Sequence, residues 1–257
     1  MRHTIHDNPA YREAGIKPKN QRTMKQEQRY NIFKRTHKGL RGMLFDAGAR
    51  IQQTDFTKAK QADAAIDIVK QTTRSFLYHL SKEDNLLYHS VVLYAPYIVA
   101  MIEQTNIKDE KLARSIDKTI EQYKDLATKN EMISFGLQLQ AAFFEFTAAV
   151  LQHMNKEETV INELLWSNYT DTQLVALEVE MLKQSTPEAC TWYTGKILKE
   201  LSNSEILIWI NGIAEHASSN IIEKLISTTQ RVLPIDRWQM IRGKFISPGQ
   251  QTNKAAA

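Results

Sequence analysis

The sequence predicts an all-α protein, an up-down-up-down four-helix bundle with an appended C-terminal bundle of short helices. Three observations carry that expectation. Glycine and proline are few, nine and six in 257 residues, and no run alternates apolar and polar residues at the period of a half-buried strand. Apolar residues instead recur at three- and four-residue steps along four long stretches. The links between those stretches are short, which sets successive helices side by side and antiparallel.

Residues 1–24 read as a polar, partly disordered lead-in, with neither the apolar core of a signal peptide nor a transmembrane run. His3 and His6 fall there, where nothing holds them to a site. The bundle is expected over residues 25–168. Its first helix starts near Gln26 and passes Ile51, with Phe33, His37, Leu40 and Leu44 on one face. Gly39, Gly42 and Gly48 weaken that helix but let a neighbour come close. Thr54-Asp55 forms a turn or cap before a second helix over roughly 57–94. Pro96 separates the second helix from the third, because proline is tolerated only in a first turn. The third helix ends near Thr128, and Lys129-Asn130 links it to the fourth. The fourth is clearest over residues 141–166, with Phe146, Val150, Ile161 and Leu164 inward.

Short helices follow over residues 169–246. Thr170-Asp171 caps the first of them, with Leu174, Leu177 and Met181 inward. Pro187 sits in the first turn of the next. One broken or two short helices come after it, and Pro234 opens a final turn. Residues 247–257 read as a disordered tail.

The formal charge is +4, and much of the basic excess lies within residues 12–41. Solvated charge on a tail and first helix accounts for it better than a nucleic-acid or lipid surface, and no helix-turn-helix signature is present. A single cysteine, Cys190, excludes an intramolecular disulfide framework and fits a reducing cytoplasm. GxSxG, phosphate-loop and CxxC patterns are absent, so neither a hydrolase nor a nucleotide enzyme is indicated.

Two residues break the inward stripe of the fourth helix. His153 and Glu157 stand one turn apart where a bundle would place apolar side chains, so an imidazole nitrogen and a carboxylate oxygen converge on one point. A hydrogen-bonded core pair satisfies them, and so does a metal cation. The same pattern occurs on the second helix as Phe76, His79, Glu83 and Leu86 or Leu87. His37 adds a third inward imidazole on the first helix. Two HxxxE helices and a helix with one histidine are the ingredients of a dinuclear metal site inside a four-helix bundle.

On these residues the chain resembles the hemerythrin-like (HHE cation-binding) family, over roughly residues 30–168. His37 matches the family's first-helix ligand, and the runs HLSKEDNLLY and HMNKEETVINELLW are similar to its second- and fourth-helix motifs. The resemblance implies a non-haem di-iron site, with His37, His79 and His153 supplying nitrogens and Glu83 and Glu157 bridging the metals. One element departs from the pattern. No histidine lies between His89 and His153, and the slot of the third-helix ligand falls on Asp109, or on Asn106 if the register slips by a turn. An aspartate is a workable oxygen ligand. Without it the count falls from two irons to one or none.

The function the resemblance implies is binding or sensing of dioxygen, nitric oxide or peroxide, protection against oxidative or nitrosative stress, or iron handling. No acid–base group beyond the ligands argues for enzymatic turnover. The alternative is a bundle without metal that serves as a protein-interaction module through its C-terminal helices. Several other residues take plainer roles. His89 and His216 are expected at the surface or in structural positions. Glu145 lies at the edge of the inward face, as a residue supporting the site or merely bordering it. Asp84 and Glu158 point about a hundred degrees off the site, toward solvent or a salt bridge. Tyr78 and Tyr88 pack in the core or donate to a metal-bound oxygen species.

Overall fold

The computed structural model describes residues 29–184 and 187–245. The lead-in with His3 and His6, the C-terminal tail and the Cys190 side chain lie outside what is described. Helix α1 (Lys34–Gln52) starts later than the expected Gln26. Ahead of it, the Asn31 side chain accepts from the backbone N–H groups of Phe33 and Lys34 and turns the chain into the helix. Helix α2 (Ala59–Lys82) continues through a π turn, Glu83–Leu87, into a short end, Tyr88–Val91. Helix α3 (Pro96–Glu121) opens on its proline and tightens into a 3-10 turn, Gln122–Asp125.

Helix α4 (Lys129–Lys156) also passes through a π turn, Glu157–Ile161, before a final α-helical piece, Asn162–Asn168. Lys129 and Asn130, expected to be a connection, are its first turn. Thr128 is the N-cap, in a reciprocal capping box with Glu131. That T-x-x-E signal moves the boundary back to residue 128.

The two π turns shift the inward stripe by one residue. A regular period places Leu164 inward, but the extra residue in the turn gives that place to Leu165, which is fully buried while Leu164 is half-exposed. On α2, Leu87 takes the inward place. Phe76, Phe143 and Phe146 fill the centre of the bundle with no exposed surface, and each contributes roughly 2–3 kcal/mol by burial. α4 is long and apolar enough by composition to cross a membrane. Its Phe135, Phe143 and Phe146, however, are buried in this chain's own core.

The appended helices are α5 (Asp171–Lys183), α6 (Pro187–Glu200), α7 (Asn203–Ile213), α8 (Ser219–Val232) and α9 (Ile235–Ile241). On α5 the buried face runs Leu174, Val175, Glu178 and Val179, rotated from the expected face, because Leu177 and Met181 are only half-buried. α6 lies directly on α1. A Cβ at Gly39 would sit 2.8 Å from Ile197 Cγ1 and 3.0 Å from its Cα, so the glycine is what permits this approach. Four basic residues near and along α1 are engaged within the chain: Arg29 with Asp171, Arg35 with Glu178, Lys38 with Glu205 and Arg41 with Glu158.

Candidate metal centre

Three helices deliver one group each, or two, to a single buried region. α1 brings His37 and α2 brings His79, followed by Glu83 at the first residue of its π turn. α4 brings His153, followed by Glu157 at the first residue of its own. π turns of this kind widen a helix locally and recur at functional sites. All five side chains are at most 3% exposed. Their rings are clamped by core aromatics, Phe33 stacking on His37 and Phe76 meeting His153 edge-on.

The contacts among them are close. His79 Nε2 lies 3.1 Å from Glu83 Oε1, and His153 Nε2 lies 3.1 Å from Glu157 Oε2. His37 Nε2 lies 3.3 Å from Glu157 Oε2 and 4.0 Å from Glu83 Oε1. Yet the Nε2 atoms of all three histidines, with Glu83 Oε2 and Glu157 Oε2, have no hydrogen bond of acceptable geometry. Buried polar atoms left so are costly. Metal bonds of about 2.0–2.2 Å separate adjacent ligand atoms by roughly 3.0–3.5 Å, the range of the closest contacts seen here. Donor atoms of His37, His79, Glu83 and Glu157 all fall within 4.8 Å of one another, a compact four-ligand set. His153 extends it across the shared Glu157 carboxylate.

The groups behind the cage orient it. His37 Nδ1 is 2.8 Å from Glu158 Oε1, which also accepts from Arg41 at 2.6 Å. His153 Nδ1 is 3.1 Å from Asp109 Oδ2, an ionic contact without hydrogen-bond geometry. In both rings a carboxylate faces Nδ1 and leaves Nε2 to point inward, the usual arrangement around a metal-binding imidazole. The Tyr88 hydroxyl donates to Glu157 Oε1. Asp109, expected as a ligand, therefore stands behind His153, separated from the four-ligand set by the ring. Asn106 is buried but donates to Asp84 Oδ1 at 3.0 Å. Glu145 and His89 are exposed, and His216 is half-exposed. Glu158 is the residue the periodicity assigned away from the site. An acidic residue directly after Glu157, facing both His37 and Arg41 on α1, was the available signal.

The carboxylates and imidazoles of the cage shift one another's protonation. Burial, and then the Glu157 charge, push the Glu83 carboxyl well above the usual carboxylate range. Burial, with help from His37, lowers His79 to about 3 and keeps it neutral, the form a metal binds. Burial disfavours charge on His153, but the Glu157 and Asp109 carboxylates outweigh it and raise His153 to about 10. Burial also works against charge on Glu157, while His153 and His37 hold that carboxyl well below its usual range. Two carboxylates sharing one dry cage cannot both ionise cheaply unless a positive charge joins them. The donor set of imidazole and carboxylate suits iron, manganese or zinc.

Comparison with known proteins agrees with this geometry. The hemerythrin HHE cation-binding domain matches residues 28–165. The chain is also similar to F-box/LRR-repeat protein 5 of Salmo salar, 21% identical over 159 residues, or 60% of this chain. It spans about a fifth of that relative's length. No solved structure matches it.

Proposed function

This chain belongs to the hemerythrin HHE cation-binding family, and from that premise we propose that it is a non-haem iron protein that binds a small oxygen- or nitrogen-containing ligand. The observation that carries the reading is the set of unpartnered Nε2 and carboxylate atoms converging from α1, α2 and α4. A core that merely paired its histidines and glutamates would close those hydrogen bonds. His37, His79, Glu83 and Glu157 would hold a first iron. Glu157 and His153 would help hold a second, more weakly because Asp109 stands behind the ring and adds no further ligand.

Iron held there would supply the chemistry of binding dioxygen, nitric oxide or peroxide. The chain's own residues do the rest. Phe33, Phe76 and the apolar core exclude water from the cage. Glu158 and Asp109 fix the ring orientations, and the Tyr88 hydroxyl holds one oxygen of Glu157 in place. Sensing, carriage and iron handling all use this arrangement, and the output depends on what the ligand changes elsewhere in the chain.

The test is metal analysis and Mössbauer spectroscopy on protein purified anaerobically without a histidine tag. The expected result is about two irons per chain when loaded, with the second lost first on dialysis. Protein that takes up no metal under any loading condition would refute the proposal and leave a bundle that keeps only the family's architecture.

A further inference from the structure

Against the cage, on the side of the appended helices, lies a chamber of about 70 Å³, roughly half the volume that admits a benzene ring. Its floor includes the metal-site residues His79 and Glu83, and its roof comes from α5, α6 and α7 through Leu182, Tyr193 and Trp209. The half-buried Thr36 and Lys82 mark where it meets solvent. The walls are mainly apolar, which makes the polar atoms within them informative. The Tyr193 hydroxyl is buried without a hydrogen-bond partner, and so is Arg35 Nε. The Trp209 indole N–H has no hydrogen bond of good geometry either, leaning toward Glu178. The other edge of Arg35 is occupied by Glu178 at 2.5 Å.

With Trp209 turned to Glu178, two hydrogen-bond donors, the Tyr193 hydroxyl and Arg35 Nε, border this small space without a hydrogen-bond partner. Buried donors of this kind are normally satisfied, by protein, water or ligand. We propose that the chamber is a binding site for a small acceptor-rich molecule, a peroxide or a small oxyanion of a few heavy atoms, which takes hydrogen bonds from Tyr193 and Arg35 beside the metal ligands. The proposal rests on the metal-centre reading only for the site's purpose. The chamber itself is formed by α1, α2 and the appended helices. It gives the C-terminal segment a share in ligand selection that the four-helix bundle alone does not provide. Diatomic molecules without strong acceptor atoms would gain little from these donors.

Formate serves as the probe, and the nitrogen-15-labelled indole N–H of Trp209 as the reporter, in metal-free and zinc-loaded full-length protein. Saturable displacement of that resonance is expected in both forms. Tyr193→Phe should weaken formate by about tenfold or more, the loss of one hydrogen bond to a charged acceptor. Its melting temperature should equal or exceed that of the wild type, because a buried unsatisfied hydroxyl is removed. Leu182→Trp, which adds bulk to the chamber wall from α5, should abolish the response should Tyr193→Phe fail to fold. An unmoved Trp209 resonance, or unchanged affinity in Tyr193→Phe, would overturn the proposal. Zinc uptake without a formate response removes the chamber and keeps the metal centre. A formate response without zinc uptake does the reverse.

Discussion

Two regions of this molecule bury charge within a short distance of each other, and they handle it in opposite ways. Where α5 meets α1, Arg35 and Glu178 form an ion pair at 2.5 Å, with side chains only 10% and 11% exposed. The Tyr30 hydroxyl bonds to both, and the Arg35 guanidinium lies over the Tyr30 and Trp209 rings. Burial pushes the Glu178 carboxyl up toward about 8, but a guanidinium in direct contact opposes that and keeps the pair ionised. One cation meets one anion, and the clasp is balanced on its own terms. In the cage, two carboxylates and three imidazoles meet at similar distances and leave their inward atoms unpaired. Burial of charge does not by itself mark a functional site. Convergence without internal balance does.

That contrast is broken most directly at the clasp. Glu178→Ala leaves Arg35 buried and alone, and is expected to destabilise the fold by about 3–5 kcal/mol. Metal content per folded chain should be unchanged. Chemical denaturation read beside metal analysis checks both halves. The paired replacement Arg35→Met with Glu178→Leu should recover most of the lost stability, since apolar groups of similar volume often replace a buried ion pair without loss. A clasp variant that folds normally but loses its metal would erase the distinction between the two regions.

The cage should respond in the opposite sense. Glu157→Gln removes a shared ligand and is expected to weaken metal binding by more than about a hundredfold, beyond what loss of a merely supporting group costs. The metal-free fold should lose less stability than in the clasp variant, because a glutamine amide can still meet the His153 ring and Asp109 remains beside it. Competition with a chelator and a melting curve on the metal-free protein provide the check. A metal-free Glu157→Gln protein that unfolds like the clasp variant would make Glu157 a structural partner.

The supporting carboxylates fall between these cases. Asp109→Asn and Glu158→Gln should each lower metal affinity about 10- to 100-fold while leaving the ligand count intact. The same chelator competition measures this, and equal affinity in both variants would mean that the rings are held by packing alone.

How much of this was legible beforehand follows from what each feature depends on. The convergence of the three histidines and two glutamates could be read because HxxxE interrupts an apolar stripe at helical spacing, and the stripe itself fixes which way each residue faces. Leu164 was misplaced because a regular period cannot register the extra residue of a π turn. The salt bridge expected of Glu158 is there, with Arg41, but its contact with His37 was missed for a related reason: that depends on α1 lying opposite. Asp109 was located on the correct face, but a face does not say whether a carboxylate reaches the cage or stops behind a ring. The clasp and the chamber were invisible, since they arise where α5, α6 and α7 dock on the bundle and no spacing within one helix encodes that contact. Gly39 was the nearest hint, a small residue on α1 that permits close approach without naming what approaches.

The smallest expected effect is also the one that separates the regions most cleanly. In the metal-free cage Glu83 is held protonated, by burial first and the Glu157 charge second, and His153 is raised to about 10. The direction of both shifts favours the protonated form, and that proton must be given up for either group to act as a ligand. His79, lowered to about 3, and Glu157, held low by His153 and His37, are already in their ligand forms and contribute no proton. Metal affinity should therefore rise with pH between roughly 5.5 and 7.5, by about tenfold per unit for each proton displaced. One to two protons should be released per cation, measured in weakly buffered solution with an indicator dye. Glu178→Ala should leave that slope untouched, since the clasp shares no proton with the cage. Asp109→Asn should flatten it, because the carboxylate that helps keep His153 protonated is gone. A slope of zero in the wild type would mean that the cation meets groups already deprotonated, and that the charge imbalance assigned to the cage does not exist.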